Sequence, residues 1–509
     1  MRRLLTATAV LVTVAACGSS AGTSGTPTPS AAGTQPPATS AQGGQIEWGA
    51  CTDLTRPDGG TPAKPDPSLQ CGKLAVPLDY AKPDGEQLNL ALIRVAATDK
   101  SKRIGSLVFN FGGPGGSGVD TLAQAAKAFG PLNARYDLVS FDPRGVERSD
   151  GVRCGDGKQM DTFMALNTLP ANAETRTRNE AANKTFAGLC QQDSGKVLPY
   201  VGTVNAAKDM DRLRAALGDA KLNYFGMSYG TQLGGVYATL FPAQVGRTVL
   251  DAPLDPTVSF EERTLAQTKG FQQAYESFLK ACVAEGCQLG KTVDAADDKI
   301  AALMTKLVGQ PLAVRGRQLT QGLASTGIAA ALYSEYSWPL LEEALAQATQ
   351  GDGGGLMYLA DSYTGRTADG QYNTQMSAFP AITCVDSAER PDRETLLRTE
   401  EAALKISPLF GSAGAGSLCS VWPVPGSDEA KRVDATGSGP ILVVGGKGDP
   451  ATPYEWAPKL TEQLKTAVLV TFEGEGHGAY LSGNPCVMKT VNSYLLDGKV
   501  PAAATTCAA

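Results

Sequence analysis

Ser228 lies at the centre of Gly226-Met227-Ser228-Tyr229-Gly230, a G-x-S-x-G pattern between a strand-like run and a helix-like run. Flanking glycines allow a strained turn that lifts a serine hydroxyl above a sheet edge, at the positive end of the next helix. A serine hydroxyl is a weak nucleophile at neutral pH and needs a base, usually a histidine. The chain has one histidine, His477, in the glycine-flanked segment Glu475-Gly476-His477-Gly478. A base in turn needs a carboxylate to fix its tautomer and to stabilise the imidazolium. Asp449, in Gly446-Lys447-Gly448-Asp449-Pro450, lies between the two in sequence and follows the apolar run ILVVGG. The bland readings are a turn aspartate before proline and a histidine without catalytic duty. Asp255 is a weaker rival for the acid because it comes too soon after the serine.

Acyl transfer also needs donors aimed at the developing oxyanion. The amide of Tyr229, next to the serine, is expected to be one. The early cluster Phe111-Gly112-Gly113-Pro114-Gly115-Gly116-Ser117-Gly118 is expected to supply the other, from Gly112 or Gly113. Gly113 to Gly118 also fits G-x-G-x-x-G after a strand, so nucleotide binding is a rival on pattern alone, although no GK[ST] follows. No cofactor is expected. A metal is not expected either, since no CxxC pair accompanies the single histidine.

Several elements must position these groups. Apolar patterning predicts strands over 87–97, 105–111, 136–141, 223–227 and 247–250, and helices over 204–217 and 229–241. After about residue 256 the pattern turns helical, with helices predicted over 265–284, 293–308 and 327–349 and no comparable strand series. Strand, helix and strand return at 439–446, 455–464 and 467–472, and a helix over 486–496 closes the chain. This rhythm predicts an α/β fold of the hydrolase type, a mostly parallel sheet flanked by helices with a helical cap between late strands. The expected boundaries are core over 47–256, lid over 257–432 and core again over 433–509.

Arg2 and Arg3 before an apolar run from Leu4 to Val14 have the layout of a secretory signal over 1–16. Val14-Ala15-Ala16-Cys17 is similar to a bacterial lipobox, which would lipidate Cys17 and tie the chain to a membrane. An ordinary signal cleaved elsewhere is the alternative. Residues 17–46 lack charge until Glu47 and read as a tether. Apart from Cys17, ten of the 11 cysteines remain, as suits disulfides in an oxidising compartment. Connectivity does not follow from sequence; pairing neighbours in order, Cys51–Cys71, Cys154–Cys190, Cys282–Cys287, Cys384–Cys419 and Cys486–Cys507, is the simplest. A net charge of −6 without a basic tract argues against nucleic acid as a partner. A monomer is expected outside the cytoplasm, lipid-anchored at the cell membrane or released.

The segments FNFGGPGGSG (109–118), FDPRGVERSD (141–150), GMSYGTQLGGVYA (226–238), GGKGDPATP (445–453) and GEGHG (474–478) resemble those of secreted actinobacterial tripeptidyl aminopeptidases, relatives of proline iminopeptidases. The likeness extends to ALYSEYSWPLLEEALAQATQGDG (331–353) and SAFPAITCVDS (377–387) and spans nearly all the chain beyond the tether. It implies a capped hydrolase that cleaves short peptides from a free N-terminus, with the triad on Ser228, Asp449 and His477 and the oxyanion loop on GGPG. Glu147 departs from the family's usual glycine, in a loop expected at the site entrance. An aminopeptidase must also pair the substrate's ammonium with carboxylates. Glu335, Glu342 and Asp386 are the lid candidates, with Glu261, Glu262 and Glu343 beside them; a solvated helix face is the alternative for each. A cell-envelope carboxylesterase or lipase would share the triad. A non-catalytic binding protein would have no need of it.

Overall fold

The computed structural model describes residues 44–54, 66–412 and 415–509. The signal segment, Cys17 and the tether up to residue 43 lie outside the described residues. The strands are β1 (Gly49–Ala50), β2 (Leu69–Pro77), β3 (Gln87–Val95), β4 (Gly105–Asn110), β5 (Tyr136–Phe141), β6 (Leu222–Met227), β7 (Val245–Asp251), β8 (Leu312–Val314), β9 (Arg317–Leu319), β10 (Ile441–Gly448), β11 (Ala467–Glu475) and β12 (Thr505–Cys507). Ten of them form one sheet in the order β1-β2-β3-β5-β4-β6-β7-β10-β11-β12. From β5 to β12 neighbours run parallel; β1, β2 and β3 pair antiparallel at one edge. This is the expected α/β-hydrolase architecture.

Side-chain alternation explains why these runs are apolar throughout. Val108, Val139, Leu250, Ile441 and Val443 point into one buried cluster, with residues of the helices Thr203–Ala216, Tyr229–Leu240 and Trp456–Leu464. Leu107, Phe109, Leu138, Val249, Leu442 and Val444 point into another, with the helices Gly118–Ala125 and Pro485–Asp497. A strand covered on both faces cannot alternate apolar with polar.

Between β7 and β10 the chain is helical, with one short antiparallel hairpin, β8 and β9, which the sequence pattern did not predict. These residues divide between two cores. Helices Phe260–Glu285, Val293–Gly309, Gln321–Leu332, Trp338–Thr349 and Gly354–Thr364 share a cluster of their own with Phe410. Helix Gln375–Val385 instead joins the cluster on one face of the sheet. The single helix expected over 327–349 is two, broken at Tyr333 and Ser334, with Pro339 in the first turn of the second. Proline lacks an N–H and suits that position. Two further helices, Gly157–Met164 and Ala173–Ser194, lie between β5 and β6. The ten cysteines of the described residues pair as neighbours in sequence, as expected.

One ion pair locks the loop after β5. Arg144 and Asp209 are both 0% exposed and meet at 2.7 Å. Arg144 spends every N–H: two on Asp209 and the others on the carbonyls of Pro77, Leu78 and Tyr200. Tyr80 donates to Asp209 as well. Removing one partner of such a pair strands a buried charge, so Asp209→Ala should lower the unfolding free energy by about 3 to 5 kcal/mol. Urea unfolding followed by circular dichroism measures this; a loss under about 1 kcal/mol, typical of surface pairs, would contradict it.

Candidate active site

Ser228 follows the last residue of β6 and begins the helix Tyr229–Leu240, with φ 54° and ψ −125°. Positive φ is costly for a residue with a side chain and survives only where the surroundings enforce it. The pattern glycines do so. A Cβ on Gly226 would lie 2.3 Å from the Gly230 carbonyl, and one on Gly230 would lie 2.5 Å from the Asn110 carbonyl. Ser228 holds the N-cap position without making a side-chain cap bond, so its hydroxyl is not committed to the helix.

His477 and Asp449 meet. Nδ1 of His477 lies 2.9 Å from both carboxylate oxygens of Asp449. Asp449 is buried and also accepts from the amides of Ala451 and Thr452 and from the Thr452 hydroxyl. These bonds fix the carboxylate plane against the ring. Burial disfavours a charged imidazole, but the charge and hydrogen bond of Asp449, with the charge of Asp251, prevail and raise the His477 pKa. The imidazole and the Tyr333 ring meet nearly perpendicular, centroids 5.2 Å apart, and the His477 backbone N–H donates to the Tyr333 carbonyl at 2.8 Å. The break in the expected 327–349 helix thus supplies a carbonyl and a ring to hold the histidine.

The strand ends explain how the base reaches the nucleophile. Met227 is opposite Asp251, and Asp251 is opposite Val444, yet β10 continues to Gly448, which pairs with Glu475 of β11. The chain must then turn back. Gly476 and Gly478 have φ of 93° and 89°, and a Cβ on Gly478 would lie 2.6 Å from Cε of Met227, the residue before the serine.

The glycine cluster after β4 lies on the elbow. A Cβ on Gly112, whose φ is 94°, would lie 2.7 Å from both the Met227 carbonyl and Cβ of Ser228, and 3.3 Å from the Tyr229 nitrogen. The Gly112 N–H donates to Oδ1 of Asn110. Asp142 ties the cluster to the loop after β5, accepting from the Ser117 hydroxyl and the Val119 amide; burial pushes its pKa up to about 6. Glu147 has φ 40°, a conformation that suits the glycine usual there. Its side chain accepts from the Thr374 amide, and its own amide donates to the Thr374 hydroxyl at 2.7 Å, just before the helix Gln375–Val385. That helix abuts Gly115, so Glu147 is tied through it to the glycine cluster after β4.

The lid carboxylates have different fates. Asp386 is buried, accepts from the amide and hydroxyl of Thr203, and through that hydroxyl reaches the Tyr229 phenol. Burial pushes its pKa up to about 6. Glu342 accepts from the Gln288 amide beside the Cys282–Cys287 disulfide. Glu261 pairs with Arg398, Glu262 completes a capping box with Ser259, and Glu343 accepts from Gln347. Glu335 is exposed, and its carboxylate has no hydrogen bond or ion pair among the described residues; burial first, and then the charge of Glu335, raise the pKa of Glu475.

Asp251 has no part in the sequence-based reading. It ends β7, is fully buried, and accepts from the amides of Ala479 and Tyr480. The signal that selects Asp449, an acid at the end of an apolar strand, fits Asp251 equally.

Residues 407–507 match the family model described as TAP-like protein. Over 483 residues the chain is 37% identical to serine protease Hip1 of Mycobacterium tuberculosis, covering 91% of each. It is 35% identical to carboxylesterase B of the same species over 87% of this chain and 86% of that one. It is 32% identical to tripeptidyl aminopeptidase of Streptomyces lividans over 86% of this chain and 84% of that one. Set beside the parallel sheet and the strained serine turn, these relationships show that the chain is a serine hydrolase belonging to the tripeptidyl-aminopeptidase family of α/β-hydrolases.

Proposed function

We propose that the protein is a serine peptidase that removes short peptides, tripeptides foremost, from the free N-terminus of its substrates through an acyl-enzyme on Ser228. The observation that supports the acyl-enzyme step is the Asp449–His477 pair, turned back by Gly476 and Gly478 toward Met227, the residue before Ser228. His477 takes the Ser228 proton as Oγ attacks the scissile carbonyl. The imidazolium then gives the proton to the leaving amine, and water, deprotonated by the same ring, releases the peptide acid. Because the Gly112 N–H is spent on Asn110, the amides of Gly113 and Tyr229 are left to hold the oxyanion. Gly112 contributes its lack of a side chain, and Gly112→Ala should reduce turnover by about a hundredfold, measured as kcat on a peptide anilide. A rate within about threefold of the parent would contradict the placement.

The raised pKa of His477 sets the sign of the pH dependence. The neutral ring is the base, so activity should fall as pH drops through a midpoint above the ordinary histidine value of about 6.5. Asp449→Asn removes the main stabiliser of the imidazolium. It should move that midpoint down while reducing the rate by about four orders of magnitude. An unmoved midpoint would argue against the pair.

Of the lid carboxylates, Glu335 is the uncommitted one and is assigned to the substrate's ammonium; the bonds of Glu342 and Asp386 give them supporting roles. Tripeptide anilides with a free amine should be cleaved far faster than acetylated ones. Glu335→Gln should raise KM for the free amine about tenfold and leave acetylated substrates unchanged. Equal rates on free and blocked peptides, or turnover confined to p-nitrophenyl esters, would favour the esterase reading instead.

Five disulfides suit an oxidising compartment, and among the described residues no helix is long and apolar enough to cross a membrane. Lipidated Cys17 would supply attachment. Cys17→Ser should shift the protein from the membrane fraction to the medium, and an unchanged distribution would rule the anchor out.

A further inference from the structure

Among the described residues, Asp251 is the one bonded both to Ser228 and to the segment just after His477. Its backbone carbonyl accepts from the Ser228 N–H at 3.0 Å. Its carboxylate accepts from Ala479 N–H on one oxygen at 3.0 Å and from Tyr480 N–H on the other at 2.9 Å. Those amides lie two and three residues beyond His477. A Cβ on Gly478 would come within 3.9 Å of the same carboxylate. A group that is 0% exposed and accepts two backbone donors has little freedom to drift. The residue on either side is fixed too: Leu250 is in β7, and the Ala252 N–H donates to the Val444 carbonyl at 3.0 Å.

We propose that Asp251 is a positioning residue that registers His477 over Ser228, joining the serine turn through its backbone carbonyl to the histidine loop through its carboxylate, and that its charge supports the imidazolium. The inference rests on Ser228 and His477 acting as nucleophile and base. Two carboxylates then act on the ring in different ways. Asp449 bonds Nδ1 and sets the tautomer; Asp251 touches only the backbone after the ring and sets where the ring sits. Asp449 and His477 are the charged groups whose fields reach Asp251; burial first, and then Asp449, push its pKa up to about 6, against the pull of the two amides and His477. A carboxylate accepts from both amides, whereas the isosteric carboxamide accepts from one and turns a donor toward the other.

The test is Asp251→Asn in the full chain. One readout is the rate at which a fluorophosphonate labels Ser228, which reports the nucleophile and its base without regard to peptide preference. A second is the titration midpoint of the imidazole by NMR on histidine-labelled protein, where His477, the single histidine, gives the one signal. A third is hydrogen exchange at Ala479 and Tyr480. The proposal expects labelling at least tenfold slower, a lower midpoint, and faster exchange at those two amides, with the far-ultraviolet spectrum unchanged. Asp255→Asn is the control: Asp255 is also buried but bonds Thr257 and Gln463, and its variant should label at the parent rate. Asp251→Ser, which accepts one amide, serves if the asparagine variant does not fold. Parent-like labelling with an unmoved midpoint would overturn the proposal. So would slower labelling with midpoint and exchange both unchanged. A parent enzyme that the probe does not label at Ser228 would overturn the serine-hydrolase reading together with this one.

Discussion

The histidine must come back. β10 and β11 rise past the level at which β6 and β7 end, so a base carried on the tip of β11 would stand away from a serine on the tip of β6. Two glycines at positive φ reverse the chain, and the second leaves no room for a side chain beside Met227. Much of the surrounding structure serves that reversal. Tyr333 receives the His477 amide, Asp251 receives those of Ala479 and Tyr480, and Asp449 faces the ring from just beyond the end of β10. The short segment Gly476-His477-Gly478 is constrained from three elements at once, which is how a loop is held rigid enough for proton transfer.

The serine turn is strained for the same reason that it is useful. Ser228 adopts φ 54° because Gly226, Gly230 and Gly112 let three backbones pack around it, and each of those positions would clash if it carried a Cβ. The turn is tied to the sheet by the bond from the Ser228 amide to the Asp251 carbonyl. Preorganisation of this kind places the reacting groups before substrate arrives, so that binding energy need not be spent on assembling them.

Much of the sheet was legible because its central strands are buried on both faces. Leu107, Val108 and Phe109 must all be apolar, and a run of that kind between glycines has few other readings. The candidate triad was legible because G-x-S-x-G, a single histidine and an acid after a strand fall in one chain order. What escaped was whatever carried no local signal. The helix Ala173–Ser194 is polar over most of its length and buries Phe186, Ala187 and Cys190 on a narrow side, so its pattern is faint. The break at Tyr333 sits inside an alanine- and leucine-rich stretch that favours helix; the second helix's first-turn proline, Pro339, marks its start only in hindsight. Asp251 looks like any strand-end acid until the loop from another strand is seen to rest on it. Of the lid carboxylates, sequence alone put forward Glu335, Glu342 and Asp386 together, whereas the fold buries Asp386 on Thr203, commits Glu342 to Gln288 and leaves the Glu335 carboxylate without a partner among the described residues.

The central claim is that acyl transfer passes through Ser228. Acid quenching of the enzyme in mid-turnover with a tripeptide anilide, followed by mass spectrometry of the digested chain, tests it directly. The account predicts that the fragment containing Ser228 gains the mass of the tripeptidyl acyl group, and that His477→Ala abolishes the gain. Release of anilide at the parent rate with no acyl mass on that fragment, or with the mass on another residue, would contradict it.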